Sequence, residues 1–358
     1  MLKQFVLIST VAVLFGTSIA ADPPATPTEV SPAGTLLIVS QTEDVVHLVD
    51  AYTGEQLASL PTERVPHEVT VSPDGRLAAV SNFGKKRTQG HTITMIDVGT
   101  GKVRETVDLG DYRHPHSLTW TPDGRIAVVT QGSGHLVLVD PTGHRPLQAI
   151  ATPWDNADDV AITPNGKLAF VTHLGSDSLA VLDLARGESV REIKTGSGPD
   201  GVAVTPDGRE VWVATRAANQ LTVIDVASLE IVATIPTPGF PIRLAIVPDG
   251  SRVLVSCSRS QEIAAFDVSS RKEVGRTRID LSTFDTWAAE SAGSTFGAMP
   301  APMELTVTPD GKRAYVAADL AAAVVLLDTK TLEVLGFIAA GHKPDGIAYS
   351  PLGRLSSP

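Results

Sequence analysis

Gly201-Val202-Ala203-Val204-Thr205 and Val211-Trp212-Val213-Ala214-Thr215 are two short apolar runs separated by Pro206-Asp207-Gly208. A third run, Leu221-Thr222-Val223-Ile224-Asp225, ends on aspartate, and a fourth, Ile231-Val232-Ala233-Thr234-Ile235, follows it. Runs of this length, rich in Val, Ile and Thr and punctuated by Gly, Pro and Asp, predict strands of an antiparallel sheet. Strands apolar on both faces must be covered on both faces, so a lone sheet of this kind cannot stand in water.

The same grammar recurs along the chain. A Pro-x-Gly turn stands at Pro32, Pro73, Pro122, Pro164, Pro206, Pro248, Pro309 and Pro351, at intervals of 41, 49, 42, 42, 42, 61 and 42 residues. Eight markers enclose seven units, two of them with insertions, and a period near 42 with four strands per unit predicts radial blades sandwiched between neighbours. The expected fold is therefore all-β, a seven-bladed propeller of four-stranded antiparallel blades. The first unit opens at a second-type strand, Thr35-Leu36-Leu37-Ile38-Val39-Ser40, and the last ends on a lone first-type strand, Gly346-Ile347-Ala348-Tyr349-Ser350. Pairing the two would complete one blade from both ends and remove the exposed edges.

This grammar resembles the YVTN-type β-propeller repeat family over roughly residues 30–353. Its name motif appears in degenerate form at Leu77-Ala78-Ala79-Val80-Ser81-Asn82, Leu168-Ala169-Phe170-Val171-Thr172-His173 and Ala314-Tyr315-Val316-Ala317-Ala318. The resemblance implies the fold. It implies no single activity, since the repeat occurs in surface proteins, lactonase-like and lyase-like enzymes, and subunits of periplasmic redox enzymes.

At the N-terminus, Lys3 precedes an apolar run, Phe5 to Phe15, and then Ser18-Ile19-Ala20-Ala21. That order reads as a signal peptide (1–21) cleaved after Ala20 or Ala21, with a run shorter than the ~20 residues a spanning helix needs. A Pro-rich linker (22–34), the propeller (35–353) and a short tail (354–358) follow, giving an expected periplasmic or secreted protein, monomeric, without a membrane span after cleavage. With 29 Lys+Arg against 40 Asp+Glu and a net charge of −11, the 358-residue chain lacks the basic surface that nucleic-acid binding needs. The single cysteine, Cys257, excludes a disulfide framework, a Cys-rich zinc site and a covalently attached c-type haem.

Repeated residues are read as structural. Asp50, Asp97, Asp140, Asp183, Asp225, Asp267 and Asp328 close the third strand of every unit, which points to Asx-type turns rather than chemistry. Function belongs where the units differ. Both insertions, Phe83 to His91 and Asp280 to Pro302, fall on the face bearing the second-to-third loops and interblade connections, here called the top. The second insertion carries Phe284, Trp287 and Phe296, consistent with a lid. Trp154 also falls in a top loop.

The residues entering each first strand should ring the mouth of the central channel. There His67, His116 and Asp158 occupy equivalent places in three consecutive units, with His173 nearby. Imidazoles plus a carboxylate suit a divalent metal, and His67, His116 and Asp158 are the expected ligands. The plainer reading is that these groups hydrogen-bond loop backbone around a wet channel. His114-Pro115-His116 is formally H-x-H, but the proline should extend the chain and splay the rings. Arg216 and Arg243, with Lys85, Lys86 and Arg87, are candidates for binding a carboxylate or phosphate. The sequence thus leaves three functions open: an exported propeller binding a small molecule or protein on its top face, a metal-assisted hydrolase or lyase of lactonase type, and an accessory subunit of a periplasmic oxidoreductase.

Overall fold

A computed structural model describes residues 34–143, 145–152, 156–280 and 301–353. Residues 1–33, where the leader and linker are expected, His144, Trp154, residues 281–300 of the second insertion with Phe284, Trp287 and Phe296, and residues 354–358 lie outside the described residues.

Every unit folds as its pattern requires. The one quoted first forms strands Pro199–Val204, Glu210–Thr215, Gln220–Asp225 and Glu230–Pro236, paired in that order and antiparallel. Seven such four-stranded sheets are present. Their innermost strands, Pro66–Val71, Pro115–Trp120, Ala157–Ile162, Pro199–Val204, Pro241–Ile246, Pro302–Val307 and Pro344–Ser350, touch in sequence, and the last touches the first. The sheets therefore form a closed seven-bladed propeller. Among the described residues no helix is long and apolar enough to cross a membrane.

Closure follows the expected route. Thr35–Ser40 pairs antiparallel with Pro344–Ser350 in the register Thr35 to Ser350 and Leu37 to Ala348, and Thr35 Oγ1 donates to the Leu352 carbonyl at 2.9 Å. The core lies between blades, which explains the apolarity of both faces. Val211 and Val213 pack with Phe170 and Val181 of the preceding blade, while Trp212 and Ala214, pointing the other way, pack with Val255 and Phe266 of the next. Trp212 is fully buried, and its Nε1 donates to Glu210 Oε2 at 3.0 Å.

The repeated polar residues are turn chemistry. Each of the seven strand-closing aspartates accepts from backbone amides two or three residues on, as Asp267 Oδ1 does from Ser270 N at 2.7 Å and Asp328 Oδ1 from Thr331 N at 2.7 Å. A second repeated feature is legible only in the backbone. Val65, His114, Asn156, Gly198, Phe240 and Lys343 each precede an innermost strand and each have φ between +51° and +69°. A left-handed residue thus turns the chain sharply at the mouth in six blades, at about 1–2 kcal/mol for each side chain with a Cβ. His114, at φ +51°, is left-handed rather than extended as Pro115 suggested, and its ring packs on Phe83 with centroids 4.5 Å apart.

The first insertion is not a loop. It prolongs two strands, Leu77–Lys85 and Thr88–Asp97, into a hairpin standing above the top face. The register shifts between Asn82 and Gly84, and the strands crowd there: a Cβ on Gly90 would lie 1.8 Å from the Asn82 carbonyl oxygen. Glycine permits this close approach, which carries Phe83 over the channel mouth.

Candidate functional site at the channel mouth

Each innermost strand starts at the top and descends along the channel. Its second residue is His67, His116, Asp158, Asp200, Ile242, Met303 or Asp345, and its third is Glu68, Ser117, Asp159, Gly201, Arg243, Glu304 or Gly346. The two glycines mark crowded places. A Cβ on Gly201 would sit 2.6 Å from the Ile242 carbonyl oxygen and 2.9 Å from Arg243 Cα, and one on Gly346 would sit 2.7 Å from Glu68 Cα. Glycine lets these neighbouring charged residues take their positions.

Arg243 occupies the centre. Its Nη2 donates to Glu68 Oε1 at 3.1 Å, Nη1 to Asp158 Oδ2 at 3.1 Å and also to Asp200 Oδ1, and Nε to Glu304 Oε2 at 3.0 Å. One guanidinium on one blade therefore ties four others across the channel. It is only 6 % exposed. Instead of lying open to an anion, Arg243 is enclosed by carboxylates of its own chain, which keep it protonated.

The surrounding acids outnumber the cations. Burial, and next the Asp158 charge, push Asp200 up to about 7. Burial, then the Glu68 charge, raises Glu304 well above the usual carboxylate range. Burial also raises Asp159 and Asp345. For Glu68 burial acts upward too, but neighbouring His67 and Arg243 outweigh it and lower the group to about 2.

The histidines meet on one side of the network. The His67 and His116 ring centroids are 4.1 Å apart, and Phe83 covers both at 5.5 and 5.6 Å. His67 Nδ1 faces Asp345 Oδ2 at 3.1 Å and Glu68 Oε1 at 3.7 Å. Burial alone would lower its pKa, but these two carboxylates raise it to about 9. His116 behaves oppositely, because burial and then the His67 and Arg243 charges lower it well below its ordinary value. Its Nδ1 lies 3.0 Å from the Asp158 carbonyl oxygen, which can only accept, so Nδ1 carries the proton and Nε2 is left with a lone pair. The group best placed to join both imidazoles on one cation is Glu68: donor atoms of His67, Glu68 and His116 all lie within 4.8 Å of one another. Asp158, expected as a ligand, stands beside this set with Oδ1 3.6 Å from His116 Nε2. His173 is fully buried at the end of Leu168–His173 and lies outside the cluster.

Across the mouth Arg216 Nη1 donates to the second oxygen of Asp200 at 2.6 Å. The Arg216 guanidinium also lies 5.4 Å from the Phe240 ring centroid, and that of Arg259 lies 4.0 Å from it. Arg259 is exposed and forms no ion pair among the described residues. Lys85, Lys86 and Arg87 are exposed at the hairpin tip. Asp319, in the short turn Asp319–Ala321 and 7 % exposed, has an Oδ1 without a hydrogen-bond partner among the described residues. Burial, then the Asp345 charge, push its carboxyl up to about 7. Below the network a cavity of about 300 Å³ is lined by Glu68, Asp159, Glu304 and the threonines Thr70, Thr119 and Thr306. Cys257 is buried in a strand with its thiol pushed up to about 12 by burial, so it is no nucleophile.

A YNCE-like β-propeller family model matches residues 124–294. This match and the closed ring of seven four-stranded blades support a YVTN-type β-propeller. No curated protein sequence matches it. Solved propellers match in shape. A functionally unknown protein from Desulfotomaculum acetoxidans is 19 % identical at a TM-score of 0.72, covering 89 % of this chain and 99 % of that one. Kuenenia stuttgartiensis hydrazine synthase is 20 % identical at 0.70, covering 87 % and 100 %. The Pseudomonas aeruginosa periplasmic gluconolactonase is 19 % identical at 0.69, covering 88 % and 99 %. Identities this low establish shared architecture and leave the propeller's activity to its own residues.

Proposed function

We propose that this propeller binds a small carboxylate- or phosphate-bearing molecule at the top mouth of its channel. The observation that carries the reading is the pair of guanidiniums on Phe240. Arg259 has no internal counter-ion among the described residues, and Arg216 gives only part of its fork to Asp200. A planar fork on an aromatic face is preorganised to take an oxyanion in two parallel hydrogen bonds. The rest of such a ligand would lie over the mouth toward His116 and Phe83. The export expected from the N-terminal segment belongs to the same proposal and would place this site outside the cytoplasm. Calorimetric titration with inorganic phosphate, citrate and gluconate tests the binding. Saturable binding of at least one anion, weakened at least tenfold by Arg259→Ala with an unchanged melting temperature, is expected. Absence of binding to all three, or equal binding by the variant, would remove the proposal.

A second reading makes the same mouth a hydrolase or lyase acting on a lactone or ester. It is favoured by neutral His116, whose Nε2 lone pair faces the mouth and can serve a Lewis acid or take a proton. The gluconolactonase among the structural neighbours points the same way. Turnover of aldonolactones, lost in His116→Ala, is the expected sign, and a wild-type protein inert with and without added divalent metal would exclude it.

A further inference from the structure

We propose that His67, Glu68 and His116 form a binding site for one divalent transition-metal ion at the top of the channel. The site goes beyond the anion-binding reading and does not depend on it. Two imidazoles and a carboxylate suit Zn2+, Mn2+, Fe2+ or Co2+. The three donor atoms lie within 4.8 Å of one another before any ion is present. Tetrahedral ligands at ~2.0–2.2 Å from a metal stand roughly 3.3–3.5 Å apart, so side-chain rotations of about an ångström close the site without moving strands.

The supporting contacts are those a metal ligand needs. His116 donates Nδ1–H to the Asp158 carbonyl at 3.0 Å, which fixes the tautomer and orients Nε2. Such partners on the far ring nitrogen accompany metal-binding histidines generally. Glu68 is anchored from behind, its Oε1 by Arg243 and its backbone amide by Ser81 Oγ at 3.0 Å. The residues sit at the starts of strands in two adjacent blades, a rigid support compared with loops. Asp158 Oδ1, 3.6 Å from His116 Nε2, stands within reach of a fourth position.

An independent observation concerns charge. Glu68, Asp158, Asp200, Glu304, Asp345 and Asp319 surround the mouth, and the cationic groups facing them are Arg243, Arg216, His67 and Lys343. Within this excess of carboxylates, buried Asp319 keeps an oxygen with no partner among the described residues. A divalent ion held by His67 would take the place of the imidazole proton that faces Asp345 and Glu68, and would leave one further positive charge among these carboxylates.

The test is calorimetric titration of the metal-stripped mature protein with ZnCl2, with the absorption spectrum of the Co2+ form as a second readout. One Zn2+ per chain is expected, with affinity lowered at least 100-fold by His116→Ala and at least tenfold by Glu68→Gln. The exposed His91→Ala should bind as the wild type does. Should His116→Ala fail to fold, the wild-type Co2+ spectrum decides: visible bands of a four- or five-coordinate, nitrogen-ligated ion support the site, and the spectrum of hydrated Co2+ overturns it. Absence of Zn2+ binding, or binding that His116→Ala leaves intact and His91→Ala removes, also overturns it. Phosphate or citrate titrations of the stripped protein report on the anion site separately, so either site can fail alone.

Discussion

Replacing Arg243 by methionine keeps much of the side-chain volume and deletes the charge that four carboxylates share. Removing one member of a buried ionic network costs about 3–5 kcal/mol, because the partners stay behind desolvated. A propeller of roughly 320 residues, at ~2.1 cal/mol/K per residue, unfolds with ~0.7 kcal/mol/K of entropy. The melting temperature should therefore fall by about 4–7 °C at pH 8. The pH dependence is the sharper check. Asp200 holds its proton up to about pH 7 in the folded protein and would release it near pH 4 when unfolded. Across that interval the folded chain binds more protons than the unfolded chain, so stability falls as pH rises from about 4 to about 7. Without the guanidinium, which holds Glu304 down, Glu304 joins this behaviour more strongly, and the deficit should be largest at pH 8 and shrink toward pH 5. Arg243→Lys, which keeps one charge but cannot span four acceptors, should fall between. Melting curves by circular dichroism at pH 5 and pH 8 measure all of this. An Arg243→Met protein as stable as the wild type at pH 8, or a deficit equal at both pH values, would refute the account.

Four further outcomes follow from the same geometry. Gly201→Ala should cost about 1–3 kcal/mol, because the new Cβ meets backbone atoms of Ile242 and Arg243; Gly336→Ala, whose Cβ meets nothing within 4 Å, is the matched control and should leave the melting temperature within about 1 °C. Asp319→Asn should stabilise the metal-free protein at pH 8 by about 2–4 kcal/mol and much less at pH 5, since a carboxyl raised to about 7 costs the fold progressively more as pH rises from about 4 to about 7. A chain ended at residue 343 lacks the strand that pairs with Thr35–Ser40 and should lose its cooperative melting transition. Mass spectrometry of exported protein should find a mature chain beginning at Ala21 or Asp22.

The architecture was legible because it is written seven times over. Each Pro-x-Gly turn and each strand-closing aspartate repeats the same local chemistry, so one misread unit is corrected by six others. The mouth was legible by position but not by pairing. His67, His116 and Asp158 were found because equivalent places could be compared, yet Glu68, one residue along, is the better partner for the imidazoles. Which of the two adjacent residues faces the channel axis depends on the strand's tilt in the ring, and no local pattern encodes it. Arg243 illustrates the same limit, since its partners Glu68 and Glu304 lie 175 and 61 residues away and meet it only when the ring closes. Phe83 was hidden differently. The insertion reads as a polar loop, and only the crowding at Gly84 and Gly90 turns it into a hairpin that sets an aromatic ring over the histidines.

The Arg243 network also decides which end of the channel a ligand can use. Glu68 and Glu304 both bond the guanidinium and line the cavity beneath it, so the network stands between the top mouth and that cavity. A molecule entering from the top meets a surface of saturated ion pairs. Threading past it would separate Arg243 from several carboxylates at once, at the ~3–5 kcal/mol that breaking even one buried pair costs. Binding from the top is therefore confined to a shallow bowl floored by Arg243. Its walls are the Phe83 hairpin with His67 and His116 on one side and the guanidiniums of Arg216 and Arg259 on the other. The floor links the walls: His116 neighbours Asp158, Asp158 and Asp200 both bond Arg243, and Asp200 bonds Arg216. A charge placed at either wall is felt at the other through side chains that cannot relax independently. Metal at the histidines and anion at the arginines should consequently bind more tightly together than apart. Titrating phosphate in the presence and absence of saturating Zn2+ measures that coupling, and equal affinities in the two titrations would show the walls to be independent.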